Sequence, residues 1–190
     1  MITEKDCLQF SDNDLVERAM SNPDYYACLV NRYTESLRHY ILRLGSTISD
    51  SEDILQEVFL NVYLHLNDFD KKLKFSSWIY RIAHNQTIDL FRKNNVRPTI
   101  ELNDLIPWQE MARDSCPGCV IDQEILKQKI KLILEKLNPK YREVIVLKYF
   151  EEKDYNEMSD ILRKPMGTIA TLVNRAKKQF TKLAKEQLLH

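Results

Sequence analysis

Cys116 and Cys119 lie in a CPGC sequence, and CxxC spacing suits either half of a metal site or a redox dithiol. Zinc needs four ligands, yet the chain has no second CxxC pair and no paired histidines. Cys7 and Cys28 could complete such a site only if the segment that contains CPGC folded back onto the N-terminal domain expected over 1–95. We therefore interpret CPGC as an incidental linker sequence and expect neither a metal nor a cofactor. The 4 cysteines are expected to be free thiols.

A second group combines an aromatic ring, cations and an amide on one flank of a predicted helix. Trp78, Arg81, Asn85 and Arg92 share this flank, and Lys74 lies just upstream. Bases stack on aromatic rings, phosphates pair with cations, and an amide can read a base edge, so the flank suits single-stranded nucleic acid. The alternative is that Trp78 is half-buried core and Arg81 is merely solvated. For an isolated helix, this alternative is favoured.

A third group joins carboxylates to exposed leucines on the preceding predicted helix. Asp53, Gln56, Glu57, Leu60 and Leu64 lie opposite an apolar stripe that must face the core. The helix dipole accounts for acidic residues near the N-terminus but not for two leucines on the same face. Such a face suits a protein partner, although isolated exposed leucines are common.

The C-terminal part has the layout of a helix-turn-helix. The sequence from Asp154 to Glu157 resembles a capping box, a turn follows over 163–167, and a second amphipathic helix begins at about Thr168. Thr171 and Lys178 lie opposite the buried stripe of that helix, and basic residues predominate from Arg163 onward. A plain helical hairpin is the alternative.

The elements that carry these groups are all predicted to be helices. With only 3 glycines and 6 prolines in 190 residues, the chain lacks the turns of a sandwich or barrel and has no Gly-rich phosphate loop. We expect an all-α protein of two small helical domains, 1–95 and 121–190, joined by a flexible linker over 96–120. No apolar run approaches the roughly 18 residues of a membrane span, and the N-terminus is too acidic for a signal peptide, so we expect a cytoplasmic protein.

Five segments, taken in order, resemble the small two-domain extracytoplasmic-function group of bacterial sigma factors. In the first half they are DLVERAM at 14–20, SEDILQEVFLNVYLHL at 51–66 and KFSSWIYRIAHNQTIDLFRK at 74–93. In the second half they are LNPKYREVIVLKYFEEKDYNEMSDIL at 137–162 and PMGTIATLVNRAKK at 165–178. The two blocks resemble sigma regions 2 and 4. The resemblance implies an RNA polymerase sigma factor that directs promoter recognition and DNA melting, responds to stress or another signal, and is not an enzyme.

The resemblance also implies a role for each surface. The face of Asp53, Gln56, Glu57, Leu60 and Leu64 would dock on the β′ clamp helices of the polymerase core. The α-helical flank around Trp78 would melt and read the minus-ten element, with the loop at about 68–77 capturing a flipped base. The implied partners are the core, including its β flap, promoter DNA and an anti-sigma factor. The residues implied for the minus-thirty-five element are Thr168, Ala170, Thr171, Leu172, Asn174, Arg175 and Lys178.

The recognition helix departs from the family pattern at two positions. Ala170 and Leu172 stand where the family usually has basic residues. Arg175 and Lys178 remain, so phosphate contact is better preserved than base readout. Two other functions stay open at this point: a dimeric helix-turn-helix regulator acting without polymerase, and a thiol-redox or metal protein centred on CPGC.

Overall fold

The computed structural model describes residues 7–94 and 123–188, and of these the side chains of 7–93 and 128–186. The predicted linker and its CPGC sequence lie outside these ranges. The described part is helical without strands, which confirms the all-α prediction. The helices are α1 (Asp12–Ser21), α2 (Asp24–Leu44), α3 (Ile48–Leu64), α4 (Phe75–Asn94), α5 (Gln123–Lys136), α6 (Pro139–Ile145), α7 (Tyr155–Leu162) and α8 (Met166–Leu188).

Local sequence signals set the ends of the N-terminal helices. Ser11 caps α1 by accepting a hydrogen bond from the Asp14 amide, and the Asp14 carboxylate accepts from the Ser11 amide in return. Gly45 ends α2 with φ at 113°, a left-handed conformation that favours glycine. Thr47 caps α3 by accepting a hydrogen bond from the Asp50 amide, so this helix begins at Ile48. A short 3₁₀ turn, Leu66–Asp68, follows α3.

The N-terminal segment is tied to α2 by a disulfide between Cys7 and Cys28, whose Cα atoms are 5.4 Å apart. The expectation of free thiols was therefore wrong for this pair, and neither cysteine is available as a zinc ligand here. The physical reason is that the segment before α1 folds back along α2. Arg32 holds it there, because its guanidinium donates to the Cys7 and Phe10 carbonyls and to the Asp12 carboxylate.

The C-terminal half contains one irregularity that the sequence pattern did not predict. The helix that begins at Pro139 becomes π-helical at Val146–Phe150, with i to i+5 hydrogen bonding. In α7, the predicted capping box forms between Asp154 and Glu157. The turn after α7 takes its left-handed residue at Arg163, with φ at 50°. Gly167 instead lies in the first turn of α8.

The two halves pack against each other and share one hydrophobic core. Helix α7 lies against α4, and the π-helical segment lies against α2. Arg142 is buried at this junction and donates to the Leu44 carbonyl of the N-terminal half as well as to the Leu134 and Glu135 carbonyls of its own half. Among the described helices, none is long and apolar enough to cross a membrane.

Candidate functional site

The outer face of α3 carries all five residues that the sequence grouped there. Asp53, Gln56 and Glu57 are exposed, while Leu60 and Leu64 are 53% and 63% exposed. The opposite side is buried, with Val58 and Val62 fully enclosed in the core. Acidic groups beside large exposed apolar side chains form a surface suited to a protein partner.

Tyr63 and Ile48 are also large exposed apolar side chains on α3, but they lie about 80° and 140° around the helix from the centre of this face. The Tyr63 ring packs edge-on against Tyr26, with ring centroids 5.1 Å apart, and the Tyr26 hydroxyl donates to the Phe59 carbonyl. Burial of the Tyr26 ring raises the pKa of that hydroxyl. Because Tyr63 lies to one side of the five-residue face, a helical stripe centred on Glu57 and Leu60 does not include it.

On α4, most of the Trp78 ring belongs to the core. It is 9% exposed and packs against Phe69 and Phe75, with centroid distances of 5.2 and 5.7 Å. Phe69 comes from the loop that precedes α4, so this cluster also fixes the path of the loop. Only the remaining edge of the indole faces a cavity, and full stacking of a base on the ring would require local movement.

That cavity has a volume of about 370 Å³ and brings together three of the predicted DNA-contact residues. Trp78, Arg81 and Asn85 line it from α4, and Arg163 lines it from the turn after α7. Partial burial lowers the pKa of Arg81, the Arg163 charge lowers it further, and Asp160 opposes both effects. Two cations beside an amide and an aromatic edge can accommodate a phosphate and a base.

The structure places the other two residues of the predicted flank outside this cavity. Lys74 is exposed, and its ammonium lies 3.4 Å from carboxylate oxygens of both Asp154 and Glu157, which raise the pKa of Lys74. Arg92 is exposed near the end of α4 and pairs with Asp89 at 3.2 Å. The flank is therefore divided between a cavity and two exposed cations, Lys74 and Arg92, that are held in ion pairs.

The α8 helix exposes most of the residues that the family resemblance assigned to DNA. These exposed residues are Thr168, Thr171, Asn174, Arg175 and Lys178. Ala170 is half-buried, and Leu172 packs partly against the core, so neither projects freely from the helix. The Thr171 hydroxyl donates to the Gly167 carbonyl at 2.9 Å. The exposed set has an amide, hydroxyls and cations, which can bind phosphates and base edges.

Within 7–94 and 123–188, no cluster of histidine, cysteine, aspartate and glutamate could hold a metal ion. The surfaces that do form are an acidic and apolar face on α3, a polar cavity on α4 and an exposed basic helix in a helix-turn-helix. The chemistry of these surfaces suits one protein partner and nucleic acid.

Comparison with known proteins identifies the family. Residues 29–97 match Sigma-70 region 2, and residues 127–180 match Sigma-70 region 4. The chain is 34% identical to the ECF RNA polymerase sigma factor SigW of Bacillus subtilis over 167 residues, covering 84% of this chain and 88% of that protein. It is 27% identical to the ECF RNA polymerase sigma-E factor of Escherichia coli, covering 89% and 92% of the two chains.

Solved structures show the same fold. The structure of CnrH in complex with the cytosolic domain of CnrY matches with a TM-score of 0.66 and 24% identity, covering 90% of this chain and 96% of CnrH. The sigma factor RpoE of Bartonella quintana, in complex with the anti-sigma factor NepR, matches with a TM-score of 0.59 and 20% identity, covering 80% and 91%. The chain belongs to the ECF family of RNA polymerase sigma factors, which direct promoter recognition and DNA melting in transcription initiation.

Proposed function

We propose that the α3 face of Asp53, Gln56, Glu57, Leu60 and Leu64 docks this sigma factor on the β′ clamp helices of the polymerase core. The observation that carries this assignment is the exposure of two large leucines beside two carboxylates on one helix whose other side is buried. Apolar surface of this kind is stabilised when a partner covers it, and the carboxylates select a basic partner.

The DNA-binding roles follow from the other two surfaces. The α4 cavity lined by Trp78, Arg81 and Asn85 takes part in melting and reading the minus-ten element, with Lys74 and Arg92 contacting the backbone. The α8 helix enters the major groove of the minus-thirty-five element. Its exposed cations at Arg175 and Lys178 neutralise phosphates, while the half-burial of Ala170 and Leu172 limits base readout.

The remaining assignments concern domains, location and partners. Residues 1–95 would form the domain for core binding and the minus-ten element, and residues 121–190 the domain for the minus-thirty-five element. The chain acts in the cytoplasm and has no catalytic role, because the polymerisation chemistry belongs to the core. Its partners are the core, including the β flap, and promoter DNA. An anti-sigma partner is supported by the structural relatives, of which RpoE is bound to the anti-sigma factor NepR.

The test of core docking is a charge reversal at Glu57. Loss of a desolvated charge contact costs about 2–5 kcal/mol of binding, so Glu57→Lys should weaken the complex with core polymerase by that amount. Glu57 is exposed, so the free energy of unfolding should change by no more than about 0.5 kcal/mol. Affinity is measured by titrating labelled sigma factor with core, and function by promoter-dependent transcripts.

The matched control is Glu52→Lys. Glu52 is also exposed on α3 but lies about 100° around the helix from the centre of the docking face, since each residue turns the helix by about 100°. The control makes the same change in charge and should bind core normally. Unchanged affinity in Glu57→Lys, or an equal loss in both variants, would show that this face is not the docking surface.

A further inference from the structure

Two guanidinium groups that line the α4 cavity, those of Arg81 and Arg163, come from different halves of the chain. Arg81 lies on α4, and Arg163 is the left-handed residue that ends α7. They are close enough for the charge of Arg163 to lower the pKa of Arg81. Because like charges repel, an anion placed between the two guanidinium groups would stabilise this arrangement.

The cavity has two carboxylates of its own, but each is held by another cationic or ring nitrogen. Asp68 lies 2.9 Å from Nδ1 of His65, and Asp89 pairs with Arg92 at 3.2 Å. Asp160 of α7 acts on the α4 arginine only through its charge, by raising the pKa of that guanidinium. Among the side chains described over 7–93 and 128–186, no carboxylate forms an ion pair with either arginine of the cavity. Their donors therefore remain for an anion from outside the chain.

Three amides and an aromatic edge line the rest of the cavity. Asn85 and Gln86 lie on α4, and Asn61 lies on α3, where its amide nitrogen donates to the Glu57 carbonyl and leaves its oxygen as an acceptor. Amides both donate and accept hydrogen bonds, as the edges of nucleobases do, and the edge of Trp78 adds apolar surface. The volume of about 370 Å³ is at the lower end of the range for ligand pockets, about 300–1,000 Å³, so the cavity suits one small ligand.

Promoter DNA cannot supply a phosphate to both arginines at once if the two halves act as proposed above. The minus-ten and minus-thirty-five elements are about 25 base pairs apart, which at about 3.4 Å per base pair is about 85 Å. Arg163 lies just before α8, which begins at Met166, so it accompanies α8 to the minus-thirty-five element. A phosphate that contacts both Arg81 and Arg163 must therefore belong to a small ligand that binds while the two halves are packed together.

We propose that Arg81 and Arg163 form a site across the two halves for the phosphate of a free mononucleotide, whose base is bound by the amides of the cavity. The proposal goes beyond the DNA-binding role of α4, although the choice of a free ligand rests on the promoter roles proposed for the two halves. Because only the packed arrangement brings both arginines to one cavity, the mononucleotide binds that arrangement selectively.

The first experiment is a heteronuclear NMR titration of the full chain, which measures weak dissociation constants. The probes are the four ribonucleoside 5′-monophosphates, each compared with its own unphosphorylated nucleoside. Charge-assisted hydrogen bonds to the phosphate should make at least one mononucleotide bind at least about 10-fold more tightly than its nucleoside, with chemical-shift changes at the side-chain amides of Asn85 and Gln86. If no mononucleotide is preferred over its nucleoside, the proposal is wrong.

Arg81→Gln and Arg163→Gln each remove one guanidinium from the cavity. Each variant should bind the preferred mononucleotide at least about 10-fold more weakly than wild type, with little change in affinity for the nucleoside. Arg38→Gln, at an arginine of α2 that does not line the cavity, makes the same change in charge and should bind the mononucleotide as wild type does. Arg163 is exposed, so its substitution leaves the fold intact. Full affinity in Arg163→Gln would place the phosphate in the N-terminal half alone and overturn the site.

A transcription assay separates a free mononucleotide from promoter DNA as the source of the phosphate. With core polymerase and a pre-melted promoter, Arg163→Gln should reduce the open-complex yield by a smaller factor than it reduces mononucleotide affinity. Equal factors would assign the phosphate to DNA and overturn the free ligand. Failure of the proposed function would be recognised differently, as absence of promoter-dependent transcripts from wild type and core polymerase while mononucleotide binding to the free chain persists.

Discussion

Trp78 and Asn85 line the same cavity but differ in burial. Substitution of the buried Trp78 should therefore lower the stability of the fold, whereas substitution of the exposed Asn85 should affect promoter opening. The Trp78 indole packs against Phe69 and Phe75 and is almost fully enclosed. Truncation of a buried Trp or Phe to Ala costs about 3–5 kcal/mol, so Trp78→Ala should lower the free energy of unfolding by that amount. Asn85 is exposed, and Asn85→Ala should change it by less than about 0.5 kcal/mol.

Asn85→Ala should impair promoter opening more than it lowers the free energy of unfolding. A lost base-edge contact costs about 1–3 kcal/mol, which reduces the open-complex equilibrium by roughly 5- to 150-fold. The assay compares open-complex yield on duplex and on pre-melted promoter, with equal core occupancy. Asn31→Ala, at an exposed amide on α2, is the matched control and should behave as wild type.

The comparison between templates decides the interpretation. If Asn85→Ala is impaired equally on duplex and pre-melted promoter, the residue contributes to binding rather than to melting. A normal yield on both templates would refute its role.

Trp78→Phe keeps an aromatic ring in the cluster and should recover most of the stability. If it also recovers full opening, the indole acts through the core, whereas a persistent opening defect assigns the exposed edge to DNA contact.

Three further predictions concern other parts of the chain. Burial and the nearby charges of Lys164 and Arg92 lower the pKa of His84 to about 4, against 6.5 in the unfolded chain, so the contribution of His84 alone should reduce stability by about 3 kcal/mol as the pH drops from 7 to 4. In denaturant titrations His84→Gln should lose this pH dependence, and an unchanged slope would contradict the assignment. The Cys7–Cys28 disulfide closes a loop with a sequence separation of 21, so reductant should lower the free energy of unfolding by about 3 kcal/mol, with no effect on a Cys7→Ser/Cys28→Ser variant; equal responses would assign the anchoring to Arg32 alone. In the holoenzyme, Arg175→Ala should reduce the log–log salt slope of binding to a minus-thirty-five duplex by roughly 0.9 and weaken authentic and scrambled sequences alike, whereas selective loss on the authentic sequence would show base readout.

Features governed by local sequence were predictable. The capping box at Asp154 acts within a few residues, and the structure confirms it. Ser11 and Gly45 end their helices through equally local signals. The outward position of Glu57 and Leu60 also followed from helical periodicity, because a helix face is set by its own sequence.

Features that depend on contacts distant in sequence were not predictable in this way. The Cys7–Cys28 pair requires the N-terminal segment to fold back on α2, which nothing in the spacing of two cysteines indicates. The depth of Trp78 is set by Phe69, which belongs to a loop without periodicity. Glu151 looked like one of many surface carboxylates, and its burial arises only when Arg43, far away in the sequence, meets it across the two halves.

The junction between the halves has a consequence for the newly made chain. A ribosome completes α1 to α4 before it adds Arg142 and Glu151, so the Leu44 carbonyl and the Arg43 guanidinium face water during that interval. Every molecule of this sigma factor therefore passes through a stage in which the N-terminal half is made and the C-terminal half is not, and the contacts of Arg142 and Glu151 are among the last to form.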